Sequence, residues 1–289
     1  MLRRCVDFIC MFHIKKMSLQ DLEFAVRITD LMSWNLVEED FRFMMKLEPE
    51  GCFVLLHDSD RVGIATAVCF GKIGWFGNFI VDEGHRDRGA GSMLVKHAIK
   101  YLESREVETI GLYSYIDKIP FYERFGFKFD SEFVVLEGEG FPQPGRSNLR
   151  VIQNENIQDV IDYDCSCFGT SRKKVLEPIL LNSVNTCYMS IEDGQMIGYA
   201  VAKVYEKMAE LGPLVCKKGR SDVAVKLLGA NLTVLEGFEV SMCVPKKDSA
   251  IVNMLSKNGF SEKFRVARMF FGSPVSEDCI YVAESLERG

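Results

Sequence analysis

One stretch constrains the fold of this 289-residue chain more than any other: Gly77-Asn78-Phe79-Ile80-Val81-Asp82-Glu83-Gly84-His85-Arg86-Asp87-Arg88-Gly89-Ala90-Gly91-Ser92-Met93-Leu94. The apolar run Ile73 to Val81 reads as a buried strand, and Asp82 to Arg88 as a short charged loop. Beyond it, Leu94, Val95, Ala98, Ile99 and Leu102 recur at helical spacing. A strand therefore feeds a glycine-rich turn that opens a helix. Free backbone N–H groups and the positive end of the helix dipole then converge on one point where an anion can sit. Gly89 and Gly91 clear side chains from the approach, and Arg86 and Arg88 add charge. A Walker loop requires a Gly-Lys-Ser/Thr ending that is absent. A dinucleotide fingerprint requires a glycine where Leu94 stands. An ordinary strand-to-helix turn that holds glycines is the plain alternative.

The spacing Arg86-x-x-Gly89-x-Gly91, directly after a strand ending in Val81, resembles the pyrophosphate loop of the GCN5-related N-acetyltransferases. The resemblance implies that Arg86, Asp87, Arg88, Gly89, Ala90, Gly91 and Ser92 grip the pyrophosphate of acetyl-CoA. It also implies that the backbone of Phe79, Ile80 and Val81 pairs with the pantetheine arm and offers an N–H to the thioester oxygen. Periodicity around the loop gives a strand at Phe12–Met17, a helix after Ser18 with Leu22, Ala25, Val26 and Thr29 inward, and a helix over Glu38–Leu47. A hairpin over 53–70, the central strand and its helix follow. Then come a strand at Thr109–Tyr115, a short helix at Ile119–Phe125 and a closing strand at Phe127–Leu136. The order β-α-α-β-β-β-α-β-α-β is that of the acetyltransferase fold. Trp34-Asn35 and Pro120-Phe121-Tyr122-Glu123-Arg124-Phe125-Gly126-Phe127 extend the likeness over residues 12–137.

The pattern repeats. Val62-Gly63-Ile64-Ala65 corresponds to Ile197-Gly198-Tyr199-Ala200, and Gly126-Phe127 to Gly259-Phe260, with Gly212-Pro213-Leu214-Val215 where a second central strand belongs. The expected fold class is α/β (α+β), a mixed and splayed central sheet of the acetyltransferase type, present twice in tandem. The expected domains are 1–137 (with 1–11 as an extension), a glycine- and proline-rich linker at 138–146, and 147–289. The second half resembles the degenerate domain of a tandem branch of the family, through Phe168-Gly169-x-Ser171-Arg172 and Gly212-Pro213-Leu214-Val215. Its loop, Lys217-Lys218-Gly219-Arg220-Ser221-Asp222, has one glycine, and Leu255 stands where the first half has Tyr122. Such a half lacks the usual means of binding coenzyme A. Its roles are structural support or closure over the acceptor site of the first half.

Composition narrows the function classes. With 47% hydrophobic and 26% charged residues the chain is an ordinary globular one, and a net charge of −6 disfavours a nucleic-acid surface. No apolar run reaches the roughly 20 residues that span a bilayer, and the signal-like start at Arg3-Arg4 is interrupted by Asp7. The expectation is a cytoplasmic protein without membrane or nucleic-acid partners, with a homodimer left open. Ten scattered cysteines without C-x-x-C spacing read as reduced thiols, and no metal is expected.

For the chemistry, an amine attacks a thioester carbonyl and a thiolate must leave. Tyr122, carried over from the family motif, is the candidate general acid, with a tyrosine that merely packs against the cofactor as the alternative. Strict alternation along the central strand sets Trp75, Gly77, Phe79 and Val81 on one row and Phe76, Asn78, Ile80 and Asp82 on the other. Neither row carries a mid-strand base, so Asn78 is the candidate for orienting a water, and no base is assigned. Glu38, Glu39 and Asp117 read as solvated charges. Trp34, Trp75, Tyr113 and Tyr115 are candidates for an aromatic box around the acceptor amine, a small molecule or a protein. Core packing explains each of them singly as well. The tandem branch commonly carries an Asp-Ala-Thr-like run where this chain has Tyr113-Ser114-Tyr115. His13, His57, His85 and His97 form no triad, so direct transfer is favoured over an acyl-enzyme. The competing class is a non-catalytic acyl-CoA sensor or scaffold.

Overall fold

The computed structural model describes residues 12–143, 149–247, 249–275 and 279–289. The expected extension at 1–11 and the linker residues 144–146 lie outside the described residues. The chain forms two compact units, one of residues up to Cys69 with Phe76–Arg105, the other of Phe70–Trp75 with Glu106–Gly289. Among the described residues no helix is long and apolar enough to cross a membrane.

The first unit holds β1 (Phe12–Lys16), α1 (Leu22–Asp30), α2 (Glu38–Leu47), β2 (Cys52–His57), most of β3 (Asp60–Phe70), the second part of β4 (Ile73–Val81) and α3 (Ala90–Glu103). Strands β1, β2 and β3 are antiparallel neighbours, with Ile14 opposite Leu55 and Val54 opposite Ile64. The turn into α1 is closed by Ser18, whose N–H donates to Asp21 at 2.8 Å. Asp21 is fully buried and also takes hydrogen bonds from Lys15 and Arg61 at 2.8 and 2.6 Å, so one carboxylate ties α1 to two strands. Burial alone would raise its pKa, but the donors Lys15, Ser18 and Arg61 outweigh it and hold the carboxyl well below its ordinary range. Leu22, Ala25 and Thr29 face inward as expected, with Ile28 rather than Val26 completing the stripe. Glu48 joins α2, β3 and α3 by accepting from Cys69 N–H at 3.0 Å and Tyr101 Oη at 2.6 Å.

The second unit begins with the first residues of β4 and contains β5 (Thr109–Tyr115), α4 (Ile119–Glu123), β6 (Lys128–Glu139), β7 (Leu149–Val151), α5 (Ile157–Phe168), α6 (Lys173–Leu181), β8 (Thr186–Glu192), β9 (Gln195–Tyr205), β10 (Met208–Cys216), α7 (Ser221–Val234), β11 (Glu239–Pro245), α8 (Ser249–Lys257), β12 (Ser261–Phe271) and β13 (Ile280–Val282). Its sheet runs β4-β5-β12-β6-β11-β10-β9-β8-β7, parallel at β4/β5 and β10/β11 and antiparallel elsewhere. The two closing strands are exchanged between the sequence repeats. β5 pairs with β12 rather than β6, with Tyr113 opposite Arg268, while β6 pairs with β11, Val134 opposite Val244. Both exchanged strands also pair with each other. Residues from both repeats therefore share one apolar core, in which Val134 and Leu136 pack with Leu214, Leu228 and Leu255.

The motif Phe168-Gly169-x-Ser171-Arg172 is a helix stop followed by a buried arginine. Gly169 closes α5 at φ +90°, donating its N–H to Cys165 O at 2.9 Å. Arg172 holds Asp164 through Nε at 3.0 Å and Nη2 at 2.7 Å, and Tyr199 Oη donates to the same carboxylate at 2.6 Å.

Candidate active site

The glycine-rich turn follows β4 as the sequence predicts. Asp82 opens it by accepting from Gly84 N–H at 3.0 Å and from the His85 ring at 3.2 Å, which sets one turn of tight helix over Glu83–His85. Arg86 donates Nε–H to the carbonyl of Val81 at 2.9 Å and lies exposed, so the end of β4 itself aims its guanidinium. Asp87 and Gly89 both adopt left-handed backbone, at φ +60° and +84°. Asp tolerates that region through its short polar side chain, and Gly89 has no Cβ to oppose it. A Cβ placed on Gly89 would meet nothing within 4 Å, so the turn is open on that side. α3 starts at Ala90, and its first backbone bond is Met93 N–H to Gly89 O at 3.0 Å. The N–H groups of Ala90, Gly91 and Ser92 have no intrahelical acceptor. These residues fit a diphosphate: open backbone donors at the positive end of a 14-residue helix, with Arg86 and Arg88 exposed beside them.

Within β4, Asn78 breaks the strict alternation expected of the strand. Its φ is +46°, left-handed in mid-strand, so the rows assigned by counting do not continue through it. It is 6% exposed, and its Oδ1 is buried without a hydrogen-bond partner among the described residues. Among the described residues the one other such side-chain atom is Oγ1 of Thr66, on β3. A Cβ on Gly63 would lie 3.4 Å from Leu94 of α3, so Thr66, three residues on, belongs to the opposite face of its strand. Sequence reasoning missed Thr66, whose one signal is a hydroxyl inside the apolar run Val62–Phe70. A signal for the irregularity at Asn78 was also present. Gly77-Asn78 recurs as Gly212-Pro213 at the offset that relates Val62 to Ile197, and the β9/β10 register shifts there too.

Tyr122 lies on the five-residue helix α4, 6% exposed, with ring centroids of Phe121 and Phe127 at 5.1 and 5.9 Å. Burial holds its phenol above the ordinary tyrosine range, so it is protonated at neutral pH. The thiols of Cys52, Cys187 and Cys216 are pushed by burial up to about 12, which leaves them inert as nucleophiles. Among the described residues no three histidine, cysteine or acidic side chains gather as a metal site.

The aromatic box needs correction. Trp75 is 2% exposed and walled in: its ring lies 5.3 Å from Tyr113 and 6.0 Å from Phe270, and its Nε1–H points to Leu286 O at 3.4 Å. A Cβ on Gly111 would stand 2.3 Å from the indole. Trp75 is therefore a core residue, because it lies where β4 and β5 still pair, at Ile73–Trp75 with Thr109–Gly111. Tyr113 is half-buried against the core, packed on Phe133 at 5.1 Å, and burial raises its phenol above the usual range. Tyr115 is partly exposed against Phe264 at 5.5 Å, and Trp34 is partly exposed after α1, its N–H on Thr29 O at 3.3 Å.

In the second repeat the cation of the loop is already engaged. Arg220 donates to Glu192 at 2.6 and 2.8 Å and to Asp222 at 2.9 Å. Leu255, at the position of Tyr122, is fully buried in α8.

Comparison with known proteins agrees with this architecture. The model of the acetyltransferase (GNAT) family matches residues 17–127, and that of an acetyltransferase (GNAT) domain matches 160–281. The chain is 23% identical over 236 residues to an uncharacterized N-acetyltransferase, YitH, of Bacillus subtilis (strain 168), covering 80% of this chain and 82% of the relative. It is 24% identical over 261 residues to the holothin acyltransferase of Pseudoalteromonas sp. (strain SANK 73390), covering 89% and 87%. A crystal structure of a putative acetyltransferase from Pyrococcus horikoshii shares the fold with a TM-score of 0.79 at 20% identity, over 96% of each chain.

Proposed function

Because the chain belongs to the GCN5-related N-acetyltransferase family and carries two of its domains in tandem, we propose that it moves the acetyl group of acetyl-CoA to a primary amine with its first domain alone. The observation that carries this reading is the turn from Asp82 to Ser92. It offers open helix N-terminal N–H groups, a left-handed Gly89 with free space beside it, and Arg86 anchored on the Val81 carbonyl. A diphosphate is what such an arrangement balances.

In this reading Arg86, Arg88 and the backbone of Gly89–Ser92 hold the pyrophosphate, and the backbone of Phe79–Val81 pairs with the pantetheine arm. An N–H there faces the thioester oxygen and stabilises the charge it gains. The amine nitrogen forms its bond to the acetyl carbon, and the carbon–sulfur bond breaks. Tyr122 gives its phenolic proton to the departing thiolate and is reprotonated from solvent, while the proton shed by the amine leaves through water. Asn78 is assigned a positioning role, its Oδ1 accepting from the attacking amine or from that water, which would satisfy an otherwise orphaned buried acceptor. The acceptor class is a small-molecule or protein amine. Holothin, the substrate in the name of one relative, belongs in the first panel.

Titration calorimetry with acetyl-CoA, followed by coenzyme A release across a panel of amines, tests the proposal. One binding event per chain with release for some amines is the expected result. Arg86→Glu places an anion beside the pyrophosphate and is expected to weaken acetyl-CoA binding by about 10-fold or more, equivalent to about 1.4 kcal/mol. Unaltered affinity in that variant would overturn the loop assignment.

A further inference from the structure

The second domain contains a slot that the chain fills with its own strand. β10 and β11 pair in parallel only from Met208–Glu210 to Glu239–Ser241. Beyond that the register of β10 breaks at Gly212-Pro213, and β13 pairs with its next segment, Val282 opposite Leu214 and Ile280 opposite Val215. Cys216 N–H donates to Cys279 O at 2.9 Å, and on the other side Ala283 N–H donates to Cys243 O of β11, also at 2.9 Å. The inserted segment thus bonds to both diverging strands. Gly212 makes the fit possible, since a Cβ there would stand 2.0 Å from Ala283 O. Val282 is fully buried and packs in the core of this unit.

By the repeat offset, Leu214–Cys216 corresponds to Phe79–Val81, the backbone assigned above to the pantetheine arm. Beyond β13 the chain is bolted in place. Glu284, 1% exposed, pairs with Lys203 and Arg288 at 2.9 Å each, and Lys203 also donates to Glu284 O at 2.6 Å. The Trp75 indole donates to Leu286 O, and Arg172 to Gly289 O. At the phosphate end of the same slot, Arg220 is engaged by Glu192 and Asp222.

We infer that residues 279–283 are the resident occupant of the second domain's acyl-CoA slot. An added peptide strand takes the backbone hydrogen bonds that a pantetheine arm would use. The slot is a peptide-strand site by β-augmentation, and the chain has room for one acyl-CoA. This rests on the reading of Phe79–Val81 given under Proposed function.

Hydrogen exchange on the full chain, with and without saturating acetyl-CoA, is the test. The amides of Cys216 and Ala283 are expected to exchange at least about 100-fold slower than loop amides in the free chain, and to stay there within about twofold when acetyl-CoA is added. New protection should fall on Phe79–Ser92. Protection of 214–216 gained only with acetyl-CoA, with faster exchange at Ala283, would overturn the inference, as would loop-like rates at the two amides in the free chain. If acetyl-CoA protects nothing, the donor assignment falls, while slow exchange at Cys216 and Ala283 still upholds the resident strand. Gly212→Ala, which drives a methyl into Ala283 O, and Glu284→Gln, which loosens the bolt, should each speed exchange at Ala283 by about 10-fold or more. No change in either would count against the strand's seating.

Discussion

Tyr122 and Asn78 are buried to the same extent, and burial acts on them in opposite ways. For a phenol it favours the neutral form, so Tyr122 keeps its proton across the physiological range. As the acid, Tyr122 predicts a kcat/KM profile without an alkaline loss until beyond the ordinary tyrosine value near pH 10. Replacement by Phe should lower kcat by about 100-fold or more and leave acetyl-CoA affinity within about twofold. An unchanged rate would return Tyr122 to a packing role. For the Asn78 carbonyl, burial without a partner is a cost, and the φ of +46° adds backbone strain for most residues. Asn78→Gly should preserve the fold, since glycine accepts this backbone, but slow turnover. Asn78→Val should cost about 1–3 kcal/mol in chemical denaturation, because a β-branched residue resists positive φ.

At the scale of elements, the exchange of β6 and β12 joins the two sequence repeats, and one ion pair tests how firmly. Arg268 of β12 is 2% exposed and donates to Asp130 of β6 at 2.9 Å, its guanidinium lying over the rings of Phe133 and Phe270. Asp130→Ala weakens the pairing of a cation that is already out of water, which is destabilising, whereas the double variant with Arg268→Met removes both charges. A double-mutant cycle followed by urea denaturation should give a coupling energy of about 1–3 kcal/mol. Coupling near zero would mean that apolar packing alone holds the exchanged strands. Periodicity located the strands of the first repeat closely, with β4 at Ile73–Val81 and β5 at Thr109–Tyr115 as read from sequence, and β6 at Lys128–Glu139 against an expected Phe127–Leu136. It carried no information on the partner of each strand, because two closing strands of like pattern fit either edge equally well.

Across the whole molecule, acid should be the weak side. Asp21 and Glu284 are buried carboxylates held below their ordinary values of 3.8 and 4.5, by Lys15, Ser18 and Arg61 in one case and by Arg288 and Lys203 in the other, each against the opposing effect of burial. A group depressed in the folded state stabilises it fully above the unfolded pKa and loses that contribution as pH falls toward the folded one. Glu287, raised by burial, acts in the opposite direction and softens the trend. Stability measured by urea denaturation should therefore fall from about pH 4.5 downward, and Glu284→Gln should flatten the slope. Stability that does not change between neutral pH and pH 3 would contradict the ion-pair assignment. The amino-acid sequence by itself determined the element order of the first half, the repeat, and the glycine-rich turn after β4 with its single-glycine counterpart in the second half, all of which are written in local spacing and residue type. Only the tertiary structure decided that Trp75 is core, that Asn78 breaks its strand's alternation, that Thr66 Oγ1 finds no partner among the described residues, that β6 and β12 are exchanged, and that the segment of β13 bonds to both β10 and β11. Each of these depends on which distant segment covers a face or completes a hydrogen bond. Local periodicity marks which face of an element is buried, but not which distant segment covers that face.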